Sequence, residues 1–326
     1  PFSLRECIED TISLLAPMAH EKKLELVSIV YNDMPDRLIG DKTRFAQIVT
    51  NLVNNAIKFT EAGEIVLRAM LEEEGENTVQ MILSVFDTGS GISKEDRQAI
   101  FSAFEQGANA SILGGKGTGL GLSICKRLAT AMGGVITLDS TIGEGSCFSV
   151  SLHLNKDPDG STNLFPAIDR AFSGEKILLM DKHHVSRMVL RNDLLHLGLQ
   201  VDDVGSYQLP DDKTWSDYEI LCIGLDAASA TSTSAMDEIT DILKSADLRS
   251  MLLVSASSQD ILEDLASTGT TVVRTKPIKR NLLRETVAAL IPSAIKRSSK
   301  PSHYEDSPRD VKNAWLNGAR VLVADD

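Results

Sequence analysis

Two asparagines and a lysine, Asn51, Asn55 and Lys58, are spaced so that they share one face of a predicted helix. Amide oxygens are hard ligands that suit Mg²⁺, whose other ligands are usually water and phosphate oxygens. An ammonium group beside them would attract the same phosphates. The spacing therefore indicates a site for Mg²⁺ and phosphate, although an ordinary polar helix face has the same pattern.

Two glycine-containing segments farther along could complete a nucleotide site. The carboxylate of Asp87, at the end of an apolar run, could accept a hydrogen bond from a base amine, while Gly89 and Gly91 would let the base approach. Asp-x-Gly is also a common turn. Segment 114–122 opens a predicted helix, where free N–H groups and the helix dipole favour phosphate. It has neither P-loop nor Rossmann spacing, and we expect the loop 106–116 to be mobile and to close over the nucleotide.

The elements that must position these groups form a mixed α and β region. Ser3 and Glu6 are spaced as a capping box before a helix whose apolar residues recur as far as Ala19. A second predicted helix, 41–59, carries the asparagines and buries an apolar arc that includes Phe59. Predicted strands cover residues 24–30, 64–71, 78–86, 135–140 and 146–154.

Composition limits the class of protein. The chain has 326 residues, 42% of them hydrophobic, which is enough for about two globular domains. A net charge of −13 argues against a nucleic-acid binder that works through bulk positive charge. The four cysteines are widely separated and predict reduced, buried thiols in a cytoplasmic protein. No apolar run approaches the length of a membrane span.

Five motifs in this order resemble the ATP-binding catalytic domain of sensor histidine kinases, in the superfamily that also includes gyrase, Hsp90 and MutL. Residues 51–59 match the N box, 87–92 the G1 box, 101–104 the F box, 117–122 the G2 box and 143–148 the terminal glycine motif. The resemblance implies a Bergerat-type α/β sandwich, a mixed sheet covered by helices. It also implies that ATP and Mg²⁺ are the cofactors, with Mg²⁺ held by Asn55.

The same resemblance implies which residues surround the nucleotide. Asp87 would bind adenine, and Lys58 and the G2 backbone would contact the phosphates. The remaining residues implied to line the site are Gly89, Gly91, Ile92, Phe101, Phe104, Lys116, Gly117, Thr118, Gly119, Leu120, Gly121 and Ser146.

Asn51 occupies the position at which the ATP-hydrolysing members of the superfamily have a general-base glutamate. Asparagine cannot take a proton from water, so the resemblance implies phosphotransfer to a histidine rather than simple hydrolysis. His20-Glu21 lacks the arginine and proline of the family's phosphoacceptor motif. We therefore expect the acceptor histidine on a dimerisation hairpin that precedes Pro1, and a fragment that binds ATP without phosphorylating itself.

A second region follows the expected linker 156–173. Residues 174–292 alternate predicted strands and helices, which implies a doubly wound parallel sheet. The predicted strands are 176–181, 200–203, 218–223, 251–255 and 271–274, and the predicted helices are 185–197, 235–244, 259–266 and 280–290.

This region resembles a receiver domain, a flavodoxin-like (βα)₅ fold that carries a phosphoacceptor aspartate. Asp181 matches the first of its two acids, but Lys182 stands in place of the second and Gly224 in place of the phosphoacceptor. Ser255 and Lys276 match its remaining motif positions. The resemblance therefore implies a pseudo-receiver, unless the register is shifted and Asp226, two residues later, takes the acceptor position.

Basic residues should collect at the carboxyl edge of that sheet: Lys182, His183, His184, Arg274, Lys276, Lys279 and Arg280. They could form a solvated rim, dock on the acidic kinase domain, or bind an anionic ligand such as a cyclic dinucleotide. A second linker, 293–317, leads to residues 318–326, whose Asp325 and Asp326 resemble the acid pair of a second, truncated receiver.

Together these features predict the ATP-binding core of a hybrid sensor histidine kinase within a two-component phosphorelay. The expected partners are its own dimerisation helices, the second receiver and a downstream response regulator or phosphotransfer protein, in a homodimeric parent. The alternative is a non-catalytic nucleotide-binding scaffold.

Overall fold

A computed structural model describes residues 1–101, 121–159, 172, 174–210, 213–226, 228–229, 232–254 and 270–291. The predicted helix 259–266, most of the first linker and all of 293–326 lie outside these residues. Within the described part of the chain, none of the helices combines the length and apolar character needed to cross a bilayer.

The first half of the chain folds into a mixed sheet of seven strands. Its hydrogen-bonded order is β1-β3-β7-β5-β4-β2, and β6 pairs with β7. Among the described strands of this sheet, β2 and β4 form the one parallel pair. The strands are β1 (Phe2–Ser3), β2 (Glu25–Val30), β3 (Arg37–Ile39), β4 (Glu64–Glu74), β5 (Thr78–Asp87), β6 (Val135–Thr141) and β7 (Gly145–Lys156).

Three helices pack on this sheet, α1 (Leu4–Glu21), α2 (Lys42–Phe59) and α4 (Gly121–Ala131), and a short α3 (Asp96–Ala99) follows β5. Ser3 caps α1 by accepting a hydrogen bond from the Glu6 N–H, which is one of the two bonds of the predicted capping box. These helices and the sheet enclose one apolar core. The structure thus has the predicted mixed α/β architecture.

Two predictions for this half were incomplete or wrong. The short strands β1 and β3 were not predicted, because two or three residues are too few to show an alternating pattern. Phe59 was expected in the buried arc of α2 but is 40% exposed. As the last residue of α2, it lies where the helix leaves the sheet, and the Lys58 ammonium is 4.6 Å from its ring centroid.

The second half forms a five-stranded sheet in which every pair is parallel. Its order, β12-β11-β10-β8-β9, is that of a flavodoxin-like doubly wound fold, as predicted. Separate apolar clusters cover its two faces. The elements are β8 (Lys176–Asp181), α5 (His184–His196), β9 (Gln200–Val204), β10 (Ile220–Gly224), α6 (Thr233–Ala246), β11 (Arg249–Val254), β12 (Thr271–Thr275) and α7 (Arg280–Leu290).

Candidate nucleotide site and the adjoining interface

The asparagine face of α2 contains amide groups without hydrogen-bond partners. The Nδ2 atoms of Asn51 and Asn55 are buried and have no hydrogen-bond partner among the described residues. A Cβ atom placed on Gly121, the first residue of α4, would lie 3.6 Å from Asn55 Nδ2, so the asparagine faces the start of that helix. Unpaired buried amides are costly, and a bound polar group would relieve that cost.

The end of α2 is held by a lysine that the sequence did not single out. Lys22, which follows α1, donates from Nζ to the carbonyl oxygens of Ile57, Lys58 and Thr60 at 2.8, 3.0 and 3.1 Å. A cation at a helix C-terminus satisfies unpaired carbonyls and complements the helix dipole. Lys22 therefore fixes the position of the turn that presents the exposed Lys58.

Asp87 lies at the last position of β5 and is 4% exposed. Burial raises the pKa of its carboxyl group. Hydrogen bonds from the N–H groups of Gly89 and Ser146 lower the pKa but offset only part of this rise. Asp87 Oδ1 accepts from the Gly89 N–H at 2.9 Å, and Asp87 pairs with Ser146 in the sheet register. The carboxylate is therefore held at a defined position at the end of the sheet.

The segment after Asp87 fits tightly against the β6–β7 turn. Gly91 has φ +69°, and a Cβ atom there would lie 2.0 Å from the Thr141 carbonyl oxygen, so only glycine fits. The Ile92 N–H donates to Ser140 Oγ at 2.8 Å, and that hydroxyl lies 3.1 Å from Ser146 Oγ. Glycine at position 91 is therefore explained by its contact with the end of β6, a role different from the approach of a base that the sequence suggested.

Thr88 was not recognised from the sequence, although it anchors the aspartate segment on its other side. Its Oγ1 accepts from the Glu64 N–H at 3.0 Å and lies 3.2 Å from the Ala62 carbonyl oxygen. The Thr88 N–H in turn reaches the Glu64 carbonyl oxygen at 3.3 Å. The residue that follows Asp87 is therefore hydrogen-bonded to Glu64, the first residue of β4.

The remaining predicted nucleotide-site residues divide into two groups. Phe101 is half-buried, makes an edge-on contact with Phe148 at 6.3 Å between centroids, and has the Lys126 ammonium 5.8 Å from its ring centroid. Phe104, Lys116, Gly117, Thr118, Gly119 and Leu120 lie outside the described residues.

A metal here would depend on amide and ligand oxygens. Among the described residues there is no group of three His, Cys, Asp or Glu side chains that could hold a metal ion. The unpaired Asn55 atom is placed as the amide nitrogen, but the nitrogen and oxygen of an amide are assigned from hydrogen bonds. With the amide turned over, its oxygen would lie in the same place and would suit an Mg²⁺ ion that arrives with phosphates and water.

In the second sheet, Asp181 occupies a fully buried position at the end of β8. Its Oδ2 lies 2.7 Å from Lys276 Nζ and accepts from Ser186 Oγ at 2.9 Å, and its Oδ1 accepts from the His183 N–H at 2.8 Å. Gly224 pairs with Asp181 in the parallel register, and a Cβ atom on it would lie 2.1 Å from Asp181 Oδ2. Ser255, Asp325 and Asp326 lie outside the described residues.

Four of the predicted basic residues contact the first half of the chain. Lys276 Nζ lies 3.1 Å from Glu25 Oε1 and His183 Nε2 lies 3.1 Å from Glu64 Oε2. In addition, Lys279 Nζ lies 2.5 Å from Asp10 Oδ1, and the Arg280 N–H donates to Glu9 Oε1 at 3.3 Å. Helix α5 also packs against β2.

The other three basic residues have different neighbours. Arg274 donates from Nε to Thr286 of α7 at 3.2 Å, and Lys182 Nζ lies 4.3 Å from the Tyr207 ring centroid. His184 is exposed. The seven residues therefore do not form one continuous patch.

The interface perturbs several titrating groups. Burial lowers the pKa of Lys276, but the charges of Asp181 and Glu25 outweigh it, so the pKa is raised. Burial also lowers the pKa of His183, but the contact with Glu64 outweighs it and the pKa is raised. Burial raises the pKa of Glu9 to about 7.

Comparison with known families agrees with this geometry. Residues 40–156 match the family described as "Histidine kinase-, DNA gyrase B-, and HSP90-like ATPase". The matched region contains Asn51, Asn55 and Asp87.

The curated relatives are named as sensor kinases. "Sensor protein GacS" of Pseudomonas syringae pv. syringae is 37% identical over 319 residues, which cover 95% of this chain and 34% of that protein. "Sensor histidine kinase GacS" of Pseudomonas protegens is 50% identical over 201 residues, 62% of this chain and 22% of that protein. The chain thus spans about a third or less of these relatives.

Among solved structures, full-length ShkA in complex with AMPPNP matches 93% of this chain and 58% of its own, with a TM-score of 0.67 and 24% identity. That likeness shows a shared fold.

Proposed function

We propose that the chain is the ATP-binding catalytic core of a sensor histidine kinase and transfers the ATP γ-phosphate to a histidine on a dimerisation domain. The observation that carries this proposal is the buried Asp87 at the end of β5, the strand against which the asparagine helix α2 packs. The family match and the sensor-kinase relatives support it.

Each residue of the site has a defined task in this proposal. Asp87 accepts a hydrogen bond from the adenine amine, and Asn55 helps to hold Mg²⁺. The exposed Lys58 attracts phosphate oxygens. Mg²⁺ supplies charge neutralisation on the phosphates when it is bound. Asn51 offers an amide where a general base would otherwise activate water, so ATP persists until a histidine acceptor arrives.

We further propose that the second unit is a degenerate receiver that regulates the kinase by docking. Gly224 stands where a receiver would have its phosphoacceptor aspartate, and Asp181, paired with Lys276, fills the space beside it. Lys276, His183, Lys279 and Arg280 contact acidic residues of the ATPase unit. Docking is therefore better supported than binding of a cyclic dinucleotide, which would have to displace Glu25 from Lys276.

Calorimetry with a non-hydrolysable ATP analogue and Mg²⁺ tests the nucleotide site. We expect Asp87→Asn to weaken binding by about 1.5–3 kcal/mol, the contribution of a charge-assisted hydrogen bond. Asp139→Asn, at an exposed position on β6, is the matched control and should bind normally. Unchanged affinity in Asp87→Asn would contradict the assignment.

Phosphotransfer separates the kinase from the scaffold alternative. Mixing the chain with a dimerisation hairpin and radiolabelled ATP should produce acid-labile phosphohistidine on the hairpin. A scaffold would bind the nucleotide and leave the hairpin unlabelled.

A further inference from the structure

Two glutamates lie side by side at the start of neighbouring strands of the ATPase sheet. Glu25 opens β2 and Glu64 opens β4, and the two are direct partners in the parallel register. Side chains of paired residues lie on the same face of a sheet, and like charges in that position repel. Left alone, this acidic pair would destabilise the start of both strands.

The docked unit supplies one basic group to each glutamate. Lys276 Nζ lies 3.1 Å from Glu25 Oε1, and His183 Nε2 lies 3.1 Å from Glu64 Oε2. His183 Nδ1 accepts the Ser186 N–H at 3.1 Å as the cap of α5, so its other ring nitrogen, Nε2, carries a proton, and its contact with Glu64 Oε2 is an ion pair when the ring is charged. The two contacts therefore offset the repulsion within the pair.

Glu64 is also attached to the segment that carries Asp87. Its N–H donates to Thr88 Oγ1 at 3.0 Å, and its carbonyl oxygen receives the Thr88 N–H at 3.3 Å. Gly63, just before Glu64, accepts the Glu25 N–H at 3.0 Å and approaches Thr88 so closely that a Cβ atom on it would lie 2.2 Å from Oγ1. A shift of either strand start would be transmitted to Thr88, next to Asp87.

We propose that Glu64 is a positioning residue for the nucleotide and that docking of His183 against it favours nucleotide binding. The inference rests on the proposed function and adds that docking strengthens nucleotide binding. By thermodynamic linkage, a nucleotide that binds better to the docked chain also strengthens docking to the same extent. The second unit would thus act as a support for the aspartate segment.

The test uses the full chain and AMP-PNP with Mg²⁺ in a calorimeter. His183→Asn shortens the side chain so that it no longer reaches Glu64, while asparagine remains a favourable helix cap and keeps α5 intact. We expect about threefold to fivefold weaker binding, as for a cross-strand repulsion that is no longer offset. His196→Asn, at the other end of α5, is the matched control and should bind like the unmodified chain.

A second variant distinguishes charge repulsion from simple damage to the fold. In His183→Asn/Glu64→Gln the acidic pair is gone, so affinity should return to within twofold of the unmodified chain. Equal affinity in His183→Asn and His196→Asn, or no recovery in the double variant, would overturn the inference while the unmodified chain still binds. Failure of the unmodified chain to bind AMP-PNP would overturn the proposed function and the inference together.

Discussion

Replacing Lys276 by methionine should be one of the most damaging single substitutions at the interface. Lys276 is 7% exposed and lies 2.7 Å from Asp181 Oδ2 and 3.1 Å from Glu25 Oε1, and both carboxylates are themselves buried. Removing one member of a buried ion pair costs about 3–5 kcal/mol, because the charges that remain are uncompensated. We expect a loss of this size in the free energy of unfolding, since two carboxylates lose their cation at once.

Glu25→Gln should cost less. Lys276 would keep Asp181, so we expect a loss of about 1.5–3 kcal/mol, the range for a lost hydrogen bond to a charged group. The double variant Lys276→Met/Glu25→Gln should lose less than the sum of the two single losses, by about 0.5–3 kcal/mol, because the two residues contact each other.

Urea unfolding followed by Trp215 fluorescence measures these values. Urea is preferred to guanidinium because salt screens ion pairs. Trp315→Phe in every variant leaves Trp215 as the only tryptophan. Lys279→Met, which breaks a half-exposed pair with Asp10, is the control and should change stability by about 0–1 kcal/mol. A loss below about 1 kcal/mol for Lys276→Met would refute the assignment of a buried, compensated cation.

Two further predictions concern the receiver-like pocket and the pH dependence. Gly224→Asp should lower the melting temperature and gain no phosphate from a small-molecule phosphodonor by mass spectrometry, because a Cβ atom there would lie 2.1 Å from Asp181 Oδ2; a stable, phosphorylated variant would contradict this. Burial raises the pKa of Glu9 to about 7 from its ordinary 4.5, so the folded chain binds more protons there and loses stability as the pH rises from about 4.5 to 7. Glu9→Gln should therefore flatten the dependence of unfolding free energy on pH in that window, and an unchanged slope would contradict the assignment.

The interface gives the carboxyl edge of the second sheet a structural role. Asp181 and Lys276, which match receiver motif positions, form one buried ion pair, and Lys276 extends it to Glu25 of the neighbouring unit. The pocket is therefore occupied by structural interactions. A buried cation needs carboxylates and does not distinguish their source, so Lys276 can pair with one carboxylate from each unit.

Local patterns in the sequence predicted most of the secondary structure and supplied the residues of the proposed nucleotide site. Helical spacing placed Asn51 and Asn55 on one face of α2, and an apolar run placed Asp87 at a strand end. The alternation in the second half predicted a parallel sheet, whose order the structure confirms. These features are short-range, since each depends on residues within a few positions of one another.

Long-range partners were decided by the tertiary structure alone. Nothing near Glu64 in the chain indicates His183, which is 119 positions away, or the bond to Thr88 across the sheet. Likewise, the sequence left open whether the basic residues meet solvent, a ligand or the first half of the chain, and in the structure four of the seven contact the first half. Charge and periodicity determine which groups are available for pairing, whereas strand register and the packing of two separate cores determine which of them meet.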